Sequence, residues 1–188
     1  KVDKPPTVSV TTPLNGADVS GVVRVRVSAA DDFGIRYVAF FINNLLKKKD
    51  NSSPYDFEWD TVAVANGVYG IKAVVTDSIG QTAHQAIQVS VLPHAPLNPT
   101  GEKKDNSSAL LEEFVDILIW EANLLDSGIT AYRVYLFENG AWTRIAEVGA
   151  DVFAYLHRDV DKDVLYSYAL RAVDAGGREG VSAWVDIR

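Results

Sequence analysis

The chain has 188 residues, 47% of them hydrophobic and 23% charged, with no cysteine and no methionine. That composition fits a globular protein rather than a disordered one, and it excludes disulfides, thiolate chemistry and cysteine-bearing zinc sites. The net charge of -7 lies wholly in residues 93–188, which hold 16 acidic and 9 basic side chains, whereas residues 1–92 hold nine of each. An acidic surface repels phosphate backbones and anionic bilayers, so nucleic acid is not an expected partner. No apolar run approaches the ~18 residues of a membrane span, so membrane insertion is not expected either. The lack of methionine leads us to expect a segment of a longer chain.

Period-2 alternation is the main structural signal. Val23, Val25, Val27 and Ala29 alternate with Val22, Arg24, Arg26 and Ser28. Val38, Phe40 and Ile42 mark a second strand, and Ile35 to Ile42 is apolar on both faces, which leaves one face for a partner. Lys47-Lys48-Lys49 reads as a solvated hairpin tip. Tyr69, Ile71, Ala73 and Val75 form a third strand, and Ile87, Val89 and Val91 a fourth. Turn residues separate them at Pro13 to Gly16, Asp31 to Gly34, Asn43-Asn44, Asn51 to Pro54, Asn66-Gly67 and Asp77 to Gly80. Short strands at this spacing predict an all-β sandwich or barrel.

Pro93, Pro96 and Pro99 then interrupt the pattern. Proline removes a backbone donor and cannot sit inside a sheet, so this stretch reads as a semi-stiff connector. Alternation restarts with Leu118, Trp120 and Ala122, continues through Tyr132, Val134 and Leu136, and again through Tyr166, Tyr168, Leu170 and Ala172. Ala141 to Val148, Val152 to His157 and Val181 to Ile187 complete the set. Asn139-Gly140 between apolar runs is a strong hairpin turn. The halves read as two similar β units of about 90 residues each, over residues 1–92 and 99–188 with a proline-bearing linker at 93–98, near the size of immunoglobulin-like sandwiches. Together with the resemblances carried by the residues below, the predicted organisation is two tandem immunoglobulin-like β-sandwich domains.

Two resemblances follow from these residues. The second half resembles a fibronectin type III domain through Leu118-Ile119-Trp120, Tyr132 to Tyr135, and Tyr166 to Asp174. The resemblance implies that Trp120 and the tyrosines pack between sheets and that the Tyr166 hydroxyl ties down the preceding loop. Lys162-Asp163-Val164 departs from the family's usual Pro-Gly-Thr there. The first half resembles a bacterial Ig-like domain through Pro13, Asn15-Gly16, Val19 to Gly21, Asp31 to Ile35, Val38 to Ile42, Pro54-Tyr55, Trp59 to Thr61, Asn66-Gly67 and Asp77 to Gly80. Both resemblances imply a bacterial exported, multidomain protein, secreted or at the cell surface, with neighbouring domains of the same polypeptide as first partners.

No catalytic constellation emerges. His84, His94 and His157 lack a spaced ligand or base partner, and no nucleophile elbow or phosphate-cradling loop is present. Asp159, Asp161 and Asp163 alternate like a calcium loop, but Val164 and Leu170 stand where the turn glycine and the closing carboxylate belong. Asp31-Asp32, Asp77 and Asp174 read as turn residues, and Gly176-Gly177 as a flexible loop. The expectation is a chain that is not an enzyme, with no catalytic, cofactor or metal residues. Its expected role is a non-catalytic spacer and interaction module. The alternative is a carbohydrate- or protein-binding adhesion module using exposed aromatics, with Trp142, Trp184, Tyr37 and Phe41 as candidate ligand contacts. More remote is an accessory part of a secreted glycoside hydrolase or protease.

Overall fold

The computed structural model describes residues 2–188, which are all strands and connections. They divide into two compact units, Lys1–Val91 and Leu92–Arg188. Each is a sandwich of two sheets around its own core.

In the first unit, β1 (Thr7–Thr12), β3 (Val22–Ala30) and β6 (Tyr55–Asp60) form one sheet in the order β1-β3-β6. The facing sheet runs β2-β8-β7-β4-β5, from β2 (Asp18–Val19), β8 (Thr82–Val91), β7 (Gly67–Asp77), β4 (Ile35–Ile42) and β5 (Leu45–Asp50). The turn at Pro13 to Gly16 lets the first strand change sheets, so β1 pairs antiparallel with β3 while β2 pairs parallel with β8. Alternation is realised directly: Val23, Val25 and Val27 point inward to Val38, Phe40, Ile71, Val75 and Val89, while Arg24 points out to Asp56. Trp59 is buried and packs on Tyr69 at 5.2 Å.

The three lysines are not a hairpin tip. The tip is Asn43-Asn44, with φ of 45° and 65°, and Lys47, Lys48 and Lys49 belong to edge strand β5. Asparagine tolerates the left-handed region, which suits it to a tight hairpin turn. Lysines along an exposed edge discourage pairing with another chain.

In the second unit, β9 (Leu97–Asp105), β10 (Phe114–Glu121) and β13 (Ala154–His157) form a sheet in the order β13-β10-β9. The other sheet runs β12-β11-β14-β15, from β12 (Ala141–Gly149), β11 (Ile129–Glu138), β14 (Tyr166–Asp174) and β15 (Ala183–Ile187). Its core holds Leu118, Trp120, Tyr132, Val134, Tyr168 and Leu170. The Tyr166 hydroxyl accepts the Asp161 N–H at 3.1 Å, which ties the loop before β14 to that strand.

The stretch expected as a linker is built into this second unit. Pro93 O accepts the Val181 N–H at 3.1 Å, and the His94 N–H donates to Asp126 at 2.9 Å. Leu97 already pairs with Glu121, and Pro99 sits at a register shift in β9. Proline lacks a donor but keeps its acceptor, and an edge strand leaves the missing donor unneeded.

Candidate functional site

The outer face of the sheet β12-β11-β14-β15 gathers the aromatics. The Asn139-Gly140 turn sets Phe137 opposite Trp142 across the hairpin. Phe137 also pairs with Ser167, and Ala169 pairs with Trp184. The two tryptophans stand on the outermost strands, about 14 Å apart at ~4.8 Å per strand step. In the two rows that carry the tryptophans, β14 presents the small Ser167 and Ala169 on this face, opposite Phe137 and Tyr135 of β11. Both indoles reach over these small side chains and meet, with centroids 4.9 Å apart and an interplanar angle of 62°. Phe137 adds a third ring 5.1 Å from Trp142. The cluster stays wet: Phe137 is 43%, Trp142 37% and Trp184 57% exposed.

Beside the rings lies a charged network. Arg133 bridges Glu147 at 2.7 Å and Glu179 at 2.6 Å, and Arg171 reaches Glu179 at 2.9 Å. The Tyr135 hydroxyl donates to Glu179, and the Arg171 guanidinium lies 5.1 Å over the Tyr135 ring. Glu179 is held by the β14–β15 loop. There Asp174 accepts the Gly176 and Arg178 N–H groups and pairs with the Arg178 side chain at 2.8 Å. The two glycines therefore form a tied turn rather than a loose loop, and only Gly177, with φ of 77°, needs glycine's freedom.

Burial alone would raise the Glu179 carboxyl, but Tyr135, Arg133 and Arg171 together hold it at about 2. The unfolded carboxyl, near 4.5, takes up its proton first as pH falls. The stability this network supplies is thus complete above about pH 4.5 and is lost on acidification towards 2. Glu179→Gln is expected to cost about 2 kcal/mol at pH 7 and progressively less towards pH 2. Urea unfolding of both proteins across that range checks it; a cost independent of pH would refute the assignment.

Tyr37 and Phe41 belong to the other unit. They lie on β4 of the first unit, half-buried, with Lys49 Nζ 4.8 Å from the Tyr37 ring and Lys72 Nζ 5.0 Å from the Phe41 ring. A lysine ammonium over each ring occupies one of the faces a ligand would need. Phe137 and the Glu179 network were missed from sequence. Phe137 was readable, since an Asn-Gly turn pairs flanking residues; Glu179 lies in a loop without periodicity.

A buried chain of polar groups lies in the same unit. The Tyr168 hydroxyl donates to Asp116 at 2.7 Å and lies 2.8 Å from His157 Nδ1. With its only proton given to Asp116, Tyr168 must accept from a protonated Nδ1. Burial lowers the His157 pKa. Asp116 and Tyr168 are fully buried, so no substrate reaches them. This chain holds β10, β13 and β14 together.

The strand order and the Tyr166 tie make the second unit a fibronectin type III-like sandwich; the first is an immunoglobulin-like sandwich. Residues 6–73 match the family model of the bacterial Ig domain. Among curated proteins, none matches this sequence. Similar solved structures include the fibronectin(III)-like modules of Clostridium thermocellum CbhA, at 18% identity and TM-score 0.43, covering 96% of this chain and 93% of that one. An Fn3-like protein from Clostridium thermocellum is 23% identical over 51% of this chain and 92% of its own, with TM-score 0.39. The Bacteroides ovatus protein SGBP-B, solved with a mixed-linkage heptasaccharide, is 15% identical over 100% of this chain and 48% of its own, with TM-score 0.39. At these values the similarities bear on neither ligand nor activity.

Proposed function

We propose that this chain is a non-catalytic module of a larger exported protein and that its second unit binds a glycan on the outer face of β12-β11-β14-β15. Bacterial Ig and fibronectin type III-like domains are typical of extracellular or surface proteins and generally carry no catalysis. Both sandwiches here fill their cores with side chains, which fits a spacer that also presents a surface.

The observation that carries the binding reading is the exposed Phe137–Trp142–Trp184 cluster. A large aromatic left in water at the middle of a sheet face costs free energy unless a partner covers it. A pyranose offers an apolar C–H face to such a ring and a rim of hydroxyls to the charged groups beside it. Arg133, Arg171, Glu147 and Glu179 are already paired with one another, so an uncharged polyhydroxylated ligand suits this face better than an ion.

Affinity electrophoresis through a panel of soluble polysaccharides tests it. At least one should retard the chain, and Trp184→Ala should weaken that retardation about tenfold or more, with the unfolding midpoint unchanged. No retardation by any glycan, or equal retardation of wild type and Trp184→Ala, would leave the spacer role alone.

A further inference from the structure

One end of the first unit gathers four aspartates away from the aromatic face. Asp3 precedes β1, Asp31 and Asp32 form the β3–β4 turn, and Asp77 ends β7. The two turns are adjacent, since the Ser78 N–H donates to Gly34 O at 3.0 Å and Ile35 pairs with Asp77.

Carboxylate oxygens of Asp3, Asp31 and Asp32 all lie within 4.8 Å of one another. One oxygen of Asp31 accepts the Phe33 and Gly34 N–H groups, both at 2.8 Å. One oxygen of Asp77 accepts from Ile79, Gly80 and Gln81 at 2.7 to 3.0 Å. Asp3 Oδ2 accepts from the Gln81 side chain at 3.1 Å and Asp32 Oδ1 accepts the Lys4 N–H at 3.3 Å, so turn-capping and these bonds leave three oxygens unexplained. Asp3 Oδ1, Asp31 Oδ1 and Asp77 Oδ2 are buried without a hydrogen-bond partner, and they are three of the five such atoms among the described residues. Asp77 is completely buried.

A dry carboxylate oxygen without a donor is costly, and several together are more so. Burial, then the Asp32 carboxyl within hydrogen-bonding reach and the charges of Asp31, Asp77 and Asp32, push the Asp3 carboxyl above its ordinary range, so the charge of the buried Asp77 is felt within the cluster. Asp50, Asp174 and Glu179, which have donors, shift the opposite way.

We propose that this end of the first unit binds a divalent cation of the calcium type, with Asp3, Asp31 and Asp32 as carboxylate ligands and the nearby buried charge of Asp77 adding to their pull. Calcium accepts oxygen ligands at about 2.3–2.6 Å, so oxygens on opposite sides of one ion stand up to about 5 Å apart. The 4.8 Å limit on this trio meets that condition. An all-carboxylate set suits a hard cation rather than zinc or copper. The flexible coordination of calcium also suits ligands drawn from separate turns better than the strict octahedron of magnesium. The ion would fasten the segment before β1 to the β3–β4 turn.

Calorimetric titration of the chelator-treated chain with calcium chloride tests this, together with thermal unfolding with and without the ion. A single site with half-saturation at about 0.1–1 mM is expected, with an unfolding midpoint that rises as calcium is added. Asp3→Asn and Asp77→Asn should each weaken binding about tenfold or more, because each removes a negative charge from the site. Asparagine keeps an acceptor oxygen for the Asp77 turn, and Asp3 lies outside any strand, so both variants should fold. Asp159→Asn, in the second unit, should bind as wild type does. Absence of heat and of any midpoint shift up to about 10 mM calcium, ten times the weak end of such sites, would overturn the proposal. So would equal binding by wild type and Asp3→Asn.

Discussion

Gly180→Ala is expected to destabilise the second unit by about 3 kcal/mol or more, at the upper end of overpacking costs. The backbones of Gly180 and Pro93 pass in direct contact, and an added methyl would stand 2.8 Å from the Pro93 carbonyl carbon and closer still to its oxygen. Neither segment can retreat. The Gly180 N–H donates to Ala172 O at 2.9 Å, and the Val181 N–H donates to Pro93 O at 3.1 Å. Relief would mean breaking one of these bonds. For a domain of this size that loss lowers the unfolding temperature by about 12 °C or more. Gly101→Ala makes a useful comparison. Its methyl would meet the Ile187 side chain, with Cγ1 at 2.5 Å, and a side chain can turn aside where a carbonyl cannot. Scanning calorimetry should show the larger drop for Gly180→Ala, with the first unit's transition unmoved. A change below about 1 kcal/mol would mean that the two segments separate freely.

The second large effect is expected at Tyr168. Replacing it by phenylalanine keeps the ring in the core and removes only the hydroxyl. Asp116, completely buried, then loses the donor to its Oδ2 and keeps only Lys103 Nζ, 3.7 Å from Oδ1. His157 Nδ1 loses its acceptor as well. Stranding a buried carboxylate costs more than breaking a neutral hydrogen bond, and about 3 kcal/mol is expected. The double variant Asp116→Asn with Tyr168→Phe should recover part of it, because the uncompensated charge is gone. Chemical denaturation of the single and double variants forms the needed cycle. Additive costs would show that the hydroxyl and the carboxylate do not depend on each other.

Both effects arise from contacts that no local pattern marks, the approach of Gly180 to Pro93 and the hydrogen bond from the Tyr168 hydroxyl to Asp116. The period-2 alternation of Val23 to Val27 and of Tyr166 to Ala172 is visible in the sequence because a pleated strand turns successive side chains to opposite faces. The fibronectin-like reading likewise put Trp120 in the core, where it is 1% exposed. Strands β5 and β9 were harder to read. Lysines and prolines obscure them, yet edge strands tolerate both. The aromatic face was half legible: Trp142 and Trp184 stood out as candidates, but nothing local said that they would meet. That depended on a register placing Ser167 and Ala169 between them. Tyr37 and Phe41 had the same residue chemistry and ended with a lysine ammonium over each ring.

Composition, alternation and turn residues therefore determined the all-β class, the division into two β units, and most of the core. Tertiary structure decided the rest: the linker tied into the second unit by Pro93 and His94 and entering β9 at Leu97, the tryptophans joined across four strands, and Asp3 brought to Asp31 and Asp32. The reason is range. Burial pattern is written in side chains one and two positions apart, whereas a site is made by residues tens of positions apart. Their meeting depends on how the sheets pair and close.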